Sequence, residues 1–96
     1  MFFLVINIVF DDDESKELFL RGFKILQEYC LKNENKFLFQ FEYAISDKNS
    51  KKIIIIEKYS DKISYLNIHR KSKHFLDFKN KVKNLKLKIE GESYIV

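Results

Sequence analysis

The hydrophobic and polar positions of this 96-residue chain recur with two different periods, and each change of period marks a predicted element. Residues 2–10 are apolar on both faces except at Asn7, which predicts a buried first strand. From Asp11 to about Lys32 the apolar side chains recur every three or four positions, which predicts a long helix. Asp11 and Glu14 match a capping box at the start of that helix.

The next two segments predict a β-hairpin. Residues 37–46 alternate strictly, and the more apolar of the two predicted faces carries Phe37, Phe39, Phe41, Tyr43 and Ile45. Residues 52–59 contain four consecutive isoleucines, a run typical of a strand buried on both faces. Because the turn at 47–50 is too short for a crossover connection, the two strands should pair antiparallel.

Two short helices and a last strand complete the prediction. Residues 61–68 indicate a short helix with Ile63 and Leu66 directed inward. Ser72 can cap a second helical piece, whose apolar stripe is Phe75, Phe78, Val82 and Leu85. Residues 85–96 predict a strand. The order βαββαβ indicates one α+β domain over residues 1–96 with a ferredoxin-like fold, in which helices cover one face of a four-stranded antiparallel sheet.

The sheet face without helices should need a partner. The first and third strands are apolar on both faces, and the chain contains ten Phe and five Tyr, more apolar surface than a small monomer hides easily. The simplest partner is a second copy of the chain. We therefore predict a homodimer through the sheet face, with the two sheets enclosed in a dimeric α/β barrel.

Composition excludes several other partners. The net charge of +4 accompanies a general abundance of Lys, Asn and Ile, so we interpret it as compositional bias and expect no nucleic-acid partner. The N-terminus lacks the basic start and cleavage site of a signal peptide, and no apolar run is long enough for a membrane span. The single cysteine, Cys30, cannot form an internal disulfide. We expect a cytoplasmic protein without a membrane partner.

Candidate chemistry lies where the third strand ends and the last helices begin. Both histidines, His69 and His74, are in this region, and a histidine titrates near neutrality, so either could act as a general base. Tyr59 and Asn7 could donate hydrogen bonds to a developing oxyanion. The aromatic side chains predicted to wall a substrate pocket are Phe23, Phe41, Tyr43 and Phe75.

Structural roles are the alternatives for the same residues. His69 could pin the joint between the two helical pieces, His74 could be exposed, Asn7 could satisfy backbone groups, and Glu57 could anchor the end of its strand. One cysteine and two histidines five positions apart do not provide a ligand set, so we expect no metal site.

The residues quoted above resemble the antibiotic biosynthesis monooxygenase domain family. Residues 41–61 resemble its second hairpin, and Glu57-Lys58-Tyr59 is similar to its Glu-x-Trp/Tyr strand end. The segment 69–75 resembles its His-x-x-Ser/Thr-x-His-Phe/Tyr signature. The resemblance covers nearly the whole chain in element order and length. The Tyr form of the strand end is most similar to the autoinducer-2 isomerase and quinol monooxygenase-like branch, although Lys73 stands where the family usually has Pro.

The resemblance implies a function as well as a fold. Known members are homodimers with one pocket per subunit, and they oxidise aromatic or quinol substrates with dioxygen and without a metal or flavin. We therefore predict a cofactor-independent monooxygenase-type enzyme that acts on a small aromatic, quinol or carbonyl substrate. The alternatives are a small-sugar isomerase and a non-catalytic dimeric module for ligand binding or stress response.

Two related functions are less compatible with these residues. The haem-degrading branch of the family has a Trp where this chain has His69 and a His where it has Lys79, so that only Asn7 fits that branch. RNA-recognition motifs share the order βαββαβ, but residues 52–58 lack the aromatic side chains and glycine on which such domains stack bases.

Overall fold

The computed structural model describes residues 1–96 and contains the predicted order of elements. The strands are β1 (Phe2–Phe10), β2 (Leu38–Ile45), β3 (Lys52–Tyr59) and β4 (Leu87–Ile95). The helices are α1 (Asp13–Asn33), a single turn α2 (Lys62–Ser64) that continues into a π-helical segment (Tyr65–His69), and α3 (Lys73–Val82). No helix is both long enough and apolar enough to cross a membrane.

The four strands form one antiparallel sheet in the order β2-β3-β1-β4. β1 and β3 are central, with Val5 opposite Ile56 and Ile6 opposite Ile55. The helices lie on one face of this sheet, so the predicted ferredoxin-like α+β arrangement is confirmed.

The core lies between the central strands and α1. Alternate positions of β1 and β3 point toward the helices, which buries Ile8 and Ile53 almost completely. Helix α1 contributes Phe23 and Leu26 to this core, and both are buried at the predicted helical spacing. Helix α3 packs against α1 at Gly22, where a β-carbon would lie 3.4 Å from Cδ1 of Phe78, in van der Waals contact.

A β-bulge changes the predicted alternation of β2. The register between β2 and β3 shifts between Leu38 and Gln40, so that Phe39 has no opposite residue. Leu38 and Phe41 therefore both point into the core, whereas the side chain of Phe39 is 53 % exposed. The prediction of one continuous apolar face through Phe39 was wrong for this reason.

The segment after β3 also differs from the prediction. Ile63 and Leu66 face solvent, while Tyr65 and His69 point toward the core. The cause is the π-helical segment, in which the Arg70 N–H donates to the Tyr65 carbonyl at 3.0 Å, five residues back. The wider turn rotates the side chains that follow relative to an α-helix.

The sheet face opposite the helices is the open face. Its centre is apolar and only partly buried in a single subunit, with Phe3 and Val5 from β1 beside Ile54 and Ile56 from β3. The prediction that both faces of β3 are buried therefore holds for the helix face alone within one chain.

Helix α1 begins one residue later than its predicted cap. Asp12 rather than Asp11 is the N-cap, and its Oδ1 accepts a hydrogen bond of 2.7 Å from the Ser15 N–H. This bond lowers the pKa of the Asp12 carboxyl below its ordinary value of 3.8, and the ammonium groups of Lys51 and Lys86 act in the same direction.

Stability should therefore depend on pH through Asp12. Because its folded pKa is depressed, the carboxylate stabilises the fold above the ordinary pKa of 3.8, and this contribution is lost as the pH falls through the folded value. Asp12→Asn keeps an acceptor for the cap but has no charge. We expect wild type to unfold at a higher temperature than Asp12→Asn at neutral pH, and the difference to close on acidification. A difference independent of pH would contradict this.

Candidate functional site

A cavity of about 290 Å³ lies between the helices and the helix face of the sheet. Its walls are mainly apolar and include Ile6, Phe23, Phe41, Phe75, Phe78 and Val82. A cavity of this size can hold one small ring system, and its apolar walls favour an uncharged, flat ligand body.

One end of the cavity is polar. Glu57 lines it and is only 5 % exposed, because it follows Ile53 and Ile55 on the inward side of β3. The hydroxyl of Tyr59 donates to Glu57 Oε1 at 2.5 Å. Burial raises the pKa of the Glu57 carboxyl above its ordinary value, although the Tyr59 hydroxyl and His69 oppose this shift. A buried carboxyl that faces an apolar cavity is a typical proton acceptor or donor.

Two cationic side chains reach the same cavity. Arg70 and Lys79 both line it, together with Tyr65. The guanidinium carbon of Arg70 lies 5.9 Å from the ring centre of Tyr65 and 5.5 Å from that of Phe75. These rings orient the guanidinium by cation–π contact, and its positive charge acts to lower the pKa of the Glu57 carboxyl.

His69 lies behind the cavity rather than in its wall. It is 1 % exposed, and its Nδ1 is 2.7 Å from Oε1 of Glu34. Its Nε2 lies 3.9 Å from Oε1 of Glu57, so the imidazole stands between two carboxyl groups. The rings of Phe41 and Phe75, with centres 5.3 and 5.2 Å away, hold it in place.

The structure brings several predicted residues together. Phe23, Phe41 and Phe75 line the cavity, while their role in substrate binding stays a prediction. Tyr59 is fully buried and acts on the cavity through its hydrogen bond to Glu57. Burial raises the pKa of the Tyr59 hydroxyl far above its ordinary value, so it remains a donor.

Three predicted residues lie elsewhere. Asn7 is exposed on the open face, because the positions of β1 that point to the helices are the even-numbered ones. His74 is exposed at the start of α3 and stacks on Tyr29 with ring centres 3.7 Å apart. Tyr43 is 38 % exposed and packs edge-on against Phe23 from outside the cavity. The sequence prediction that these three share the pocket is corrected accordingly.

Sequence reasoning missed other members of the site. Glu57 was recognisable, since a carboxylate that continues the inward positions 53 and 55 must point into the core. Glu34 falls between the predicted helix and the predicted strand, where no pattern indicated a functional role. The expected absence of a metal site considered only cysteine and histidine, whereas the structure brings donor atoms of Cys30, Glu34 and His69 within 4.8 Å of one another.

Comparison with known proteins supports the fold. No protein-family profile matches the chain, and no curated protein sequence matches it. A candidate antibiotic biosynthesis monooxygenase of Nitrosomonas europaea has a similar structure, with a TM-score of 0.85, 14% identity and coverage of 100% of this chain and 98% of that one.

Two further structures have the same fold. A conserved protein of Methanosarcina mazei gives a TM-score of 0.81 at 21% identity, over 98% of this chain and 91% of that one. A candidate antibiotic biosynthesis monooxygenase of Caulobacter crescentus has a TM-score of 0.77 at 14% identity, over 99% of this chain and 91% of that one. The chain therefore has the fold of structures described as antibiotic biosynthesis monooxygenases, as the sequence resemblance implied.

Proposed function

We propose that this protein is a monooxygenase-type enzyme that oxidises a small aromatic, quinol or carbonyl substrate with dioxygen inside the cavity. The observation that carries the proposal is the position of Glu57, a buried carboxyl at the polar end of an otherwise apolar cavity of about 290 Å³. Similar folds described as monooxygenases support the reaction class.

Four residues at or behind the polar end have roles in this proposal. Glu57 removes a proton from an activated C–H of the substrate, and Arg70 stabilises the negative charge that develops on the neighbouring oxygen. Tyr59 holds the Glu57 carboxyl in place through its hydroxyl. His69, which does not line the cavity, is a positioning residue that acts through Glu57.

The proposed reaction converts a CH₂ group beside a carbonyl or aromatic ring into a ketone, and its atoms and electrons balance. Proton transfer to Glu57 leaves a carbanion, which transfers an electron to dioxygen, and the two radicals combine into a peroxide on the same carbon. The peroxide regains the proton. Loss of the second C–H proton with cleavage of the O–O bond then gives a ketone and one molecule of water. The protein needs only to bind the substrate, remove its proton and exclude solvent from the cavity.

Oxygen uptake tests the proposal. Wild type should consume dioxygen in the presence of some member of a panel of dihydroxyaromatics and small cyclic ketones, with one new carbonyl group formed per molecule of oxygen. His74→Ala should have the same rate, because His74 lies outside the cavity. Binding of panel members without oxygen uptake would support the non-catalytic ligand-binding module instead. The small-sugar isomerase is disfavoured by the apolar walls, which offer few hydrogen bonds to hydroxyl groups.

The proposal includes a homodimer through the open face. The centre of that face is an apolar strip from β1 and β3 that includes Val5, Ile54 and Ile56. The edge strands add polar side chains on either side, with Glu42 opposite Ile56 and Glu92 opposite Val5. An apolar centre with a charged rim is typical of protein interfaces, and a two-fold axis would place like strips against each other.

A further inference from the structure

A buried cluster of three possible ligands lies one layer behind the cavity. Cys30 and His69 are 0 and 1 % exposed and Glu34 is 3 % exposed, and their donor atoms all lie within 4.8 Å of one another. We propose that Cys30, Glu34 and His69 form a binding site for a divalent transition-metal ion, with Zn²⁺ as the preferred ion. This goes beyond the proposed oxygenase reaction and does not depend on it.

Two elements fix the geometry of the cluster. Cys30 is in the last turn of α1 and Glu34 is its C-cap, four residues further on, so the two side chains lie at the same end of the helix. Both polar groups of the Glu34 backbone are hydrogen-bonded. Its N–H donates to the Cys30 carbonyl at 2.8 Å, and its carbonyl accepts from the Leu38 N–H at 2.8 Å. The π-helical segment then directs His69 at this helix end. Ligands on rigid backbone are the usual basis of a metal site.

The distances suit an ion that bridges the three side chains. His69 Nδ1 is 3.7 Å from Cys30 Sγ and 2.7 Å from Glu34 Oε1. Ligands of a zinc ion at roughly 2.0–2.3 Å are separated from one another by about 3–4 Å, so small side-chain shifts suffice. Nδ1 is the nitrogen that faces this cluster, while Nε2 faces Glu57 on the opposite side of the ring.

A second observation points to a ligand at the same place. Oε2 of Glu34 is buried and has no hydrogen-bond partner. An unsatisfied acceptor in the interior is costly and needs an explanation, because most buried polar atoms are paired. A cation bound by both carboxylate oxygens would satisfy this atom. Bidentate Glu34, the thiolate and the imidazole together supply four donor atoms.

The ligand types select the class of ion. Thiolate and imidazole favour borderline ions such as Zn²⁺ over Mg²⁺ or Ca²⁺, which prefer oxygen ligands alone. The charges of one thiolate and one carboxylate are balanced by a divalent ion, which removes the electrostatic cost of their burial. Binding releases the thiol proton to solvent and leaves Nδ1 without a proton, so that the remaining imidazole proton is on Nε2.

The proposed ion would position His69. Coordination of Nδ1 fixes the ring with its Nε2–H directed toward Oε1 of Glu57, 3.9 Å away in the structure. It would also tie the end of α1 to the π-helical segment. The ion itself is separated from the substrate cavity by His69 and Glu57, so its role is structural and it does not contact the substrate.

Metal titration of the full chain tests this inference. After treatment with a chelator, wild type should bind one equivalent of Zn²⁺ and unfold at a higher temperature when it is loaded. Co²⁺ should give a thiolate-to-metal charge-transfer band in the near ultraviolet. Cys30→Ser should lose that band, and Glu34→Gln should weaken binding by at least ~10-fold. His74→Ala is the matched control, since it removes the other histidine and should bind like wild type.

Three results would overturn the proposed metal site. Absence of the charge-transfer band in wild type overturns the inference whether or not any variant folds. Binding that Cys30→Ser leaves unchanged, or that His74→Ala removes, also overturns it. Because the readouts are absorbance and unfolding temperature, a failure here is distinguishable from a failure of the proposed oxygenase activity.

Discussion

We expect Glu57→Gln to lower kcat/KM by ~10²-fold or more for any substrate of the proposed oxidation, without loss of the fold. Glutamine has nearly the same size and keeps an oxygen that can accept the Tyr59 hydroxyl, but it cannot accept the substrate proton. Its neutral amide also avoids the cost of burying a carboxylate in a site that is only 5 % exposed. Steady-state oxygen uptake and thermal unfolding on the same samples measure both effects.

Two further variants test whether the loss of activity is due to the Glu57 carboxyl itself. Tyr59→Phe should reduce the rate less, because the carboxyl remains and only its positioning hydrogen bond is lost. His69→Ala should also lower turnover, but it leaves Glu34 Oε1 without its partner, so its unfolding temperature must be compared with wild type. Turnover equal to wild type in Glu57→Gln would remove Glu57 from the mechanism.

Ile56→Asp should convert the proposed dimer into monomers. Ile56 lies opposite Val5 on one side and Glu42 on the other, at the centre of the open face. Burial of an unpaired carboxylate there should cost about 4 kcal/mol or more, a roughly thousandfold weakening of association. Within the monomer Ile56 is only partly buried, so the fold itself should tolerate the change better than the interface does. Sedimentation velocity over a range of concentrations measures the effect.

Leu76→Asp is the matched control for charge. Leu76 is 51 % exposed and lies on α3, away from the open face, so the same added carboxylate should leave association unchanged. A wild-type chain that remains monomeric at all concentrations would contradict the proposed interface, and so would an Ile56→Asp variant that associates like wild type.

Long, strongly periodic segments explain why the fold could be predicted. Helix α1 and the strands β1 and β3 follow from patterns of eight or more residues, which a single irregularity does not change. The bulge at Phe39 and the π-helical segment before Arg70 could not be predicted, because each inserts one residue without a local sequence signal. The N-cap differed by one residue, since Asp11 and Asp12 are chemically equal candidates.

The site was less accessible to sequence reasoning than the fold. Alternation along β1 places Asn7 on the opposite face of the sheet from its two neighbours in sequence. Only the packing of the helices decides which of the two faces becomes the core. Glu34 and His69 are 35 residues apart and meet only because the end of α1 packs beside the π-helical segment. The three aromatic residues that do line the cavity, Phe23, Phe41 and Phe75, belonged to apolar stripes and so were predictable.

The π-helical segment also makes the position of His69 depend on the width of this turn. An α-helical turn over the same residues would rotate each side chain by about 100° from the one before, more than a π-helical turn does, so His69 would point in a different direction relative to Tyr65. The imidazole would then lie away from both Glu34 and Glu57. A relative of this protein that carries the same histidine at the same spacing but has a regular α-helix here would keep the sequence motif and lose the arrangement of side chains that the motif was taken to indicate.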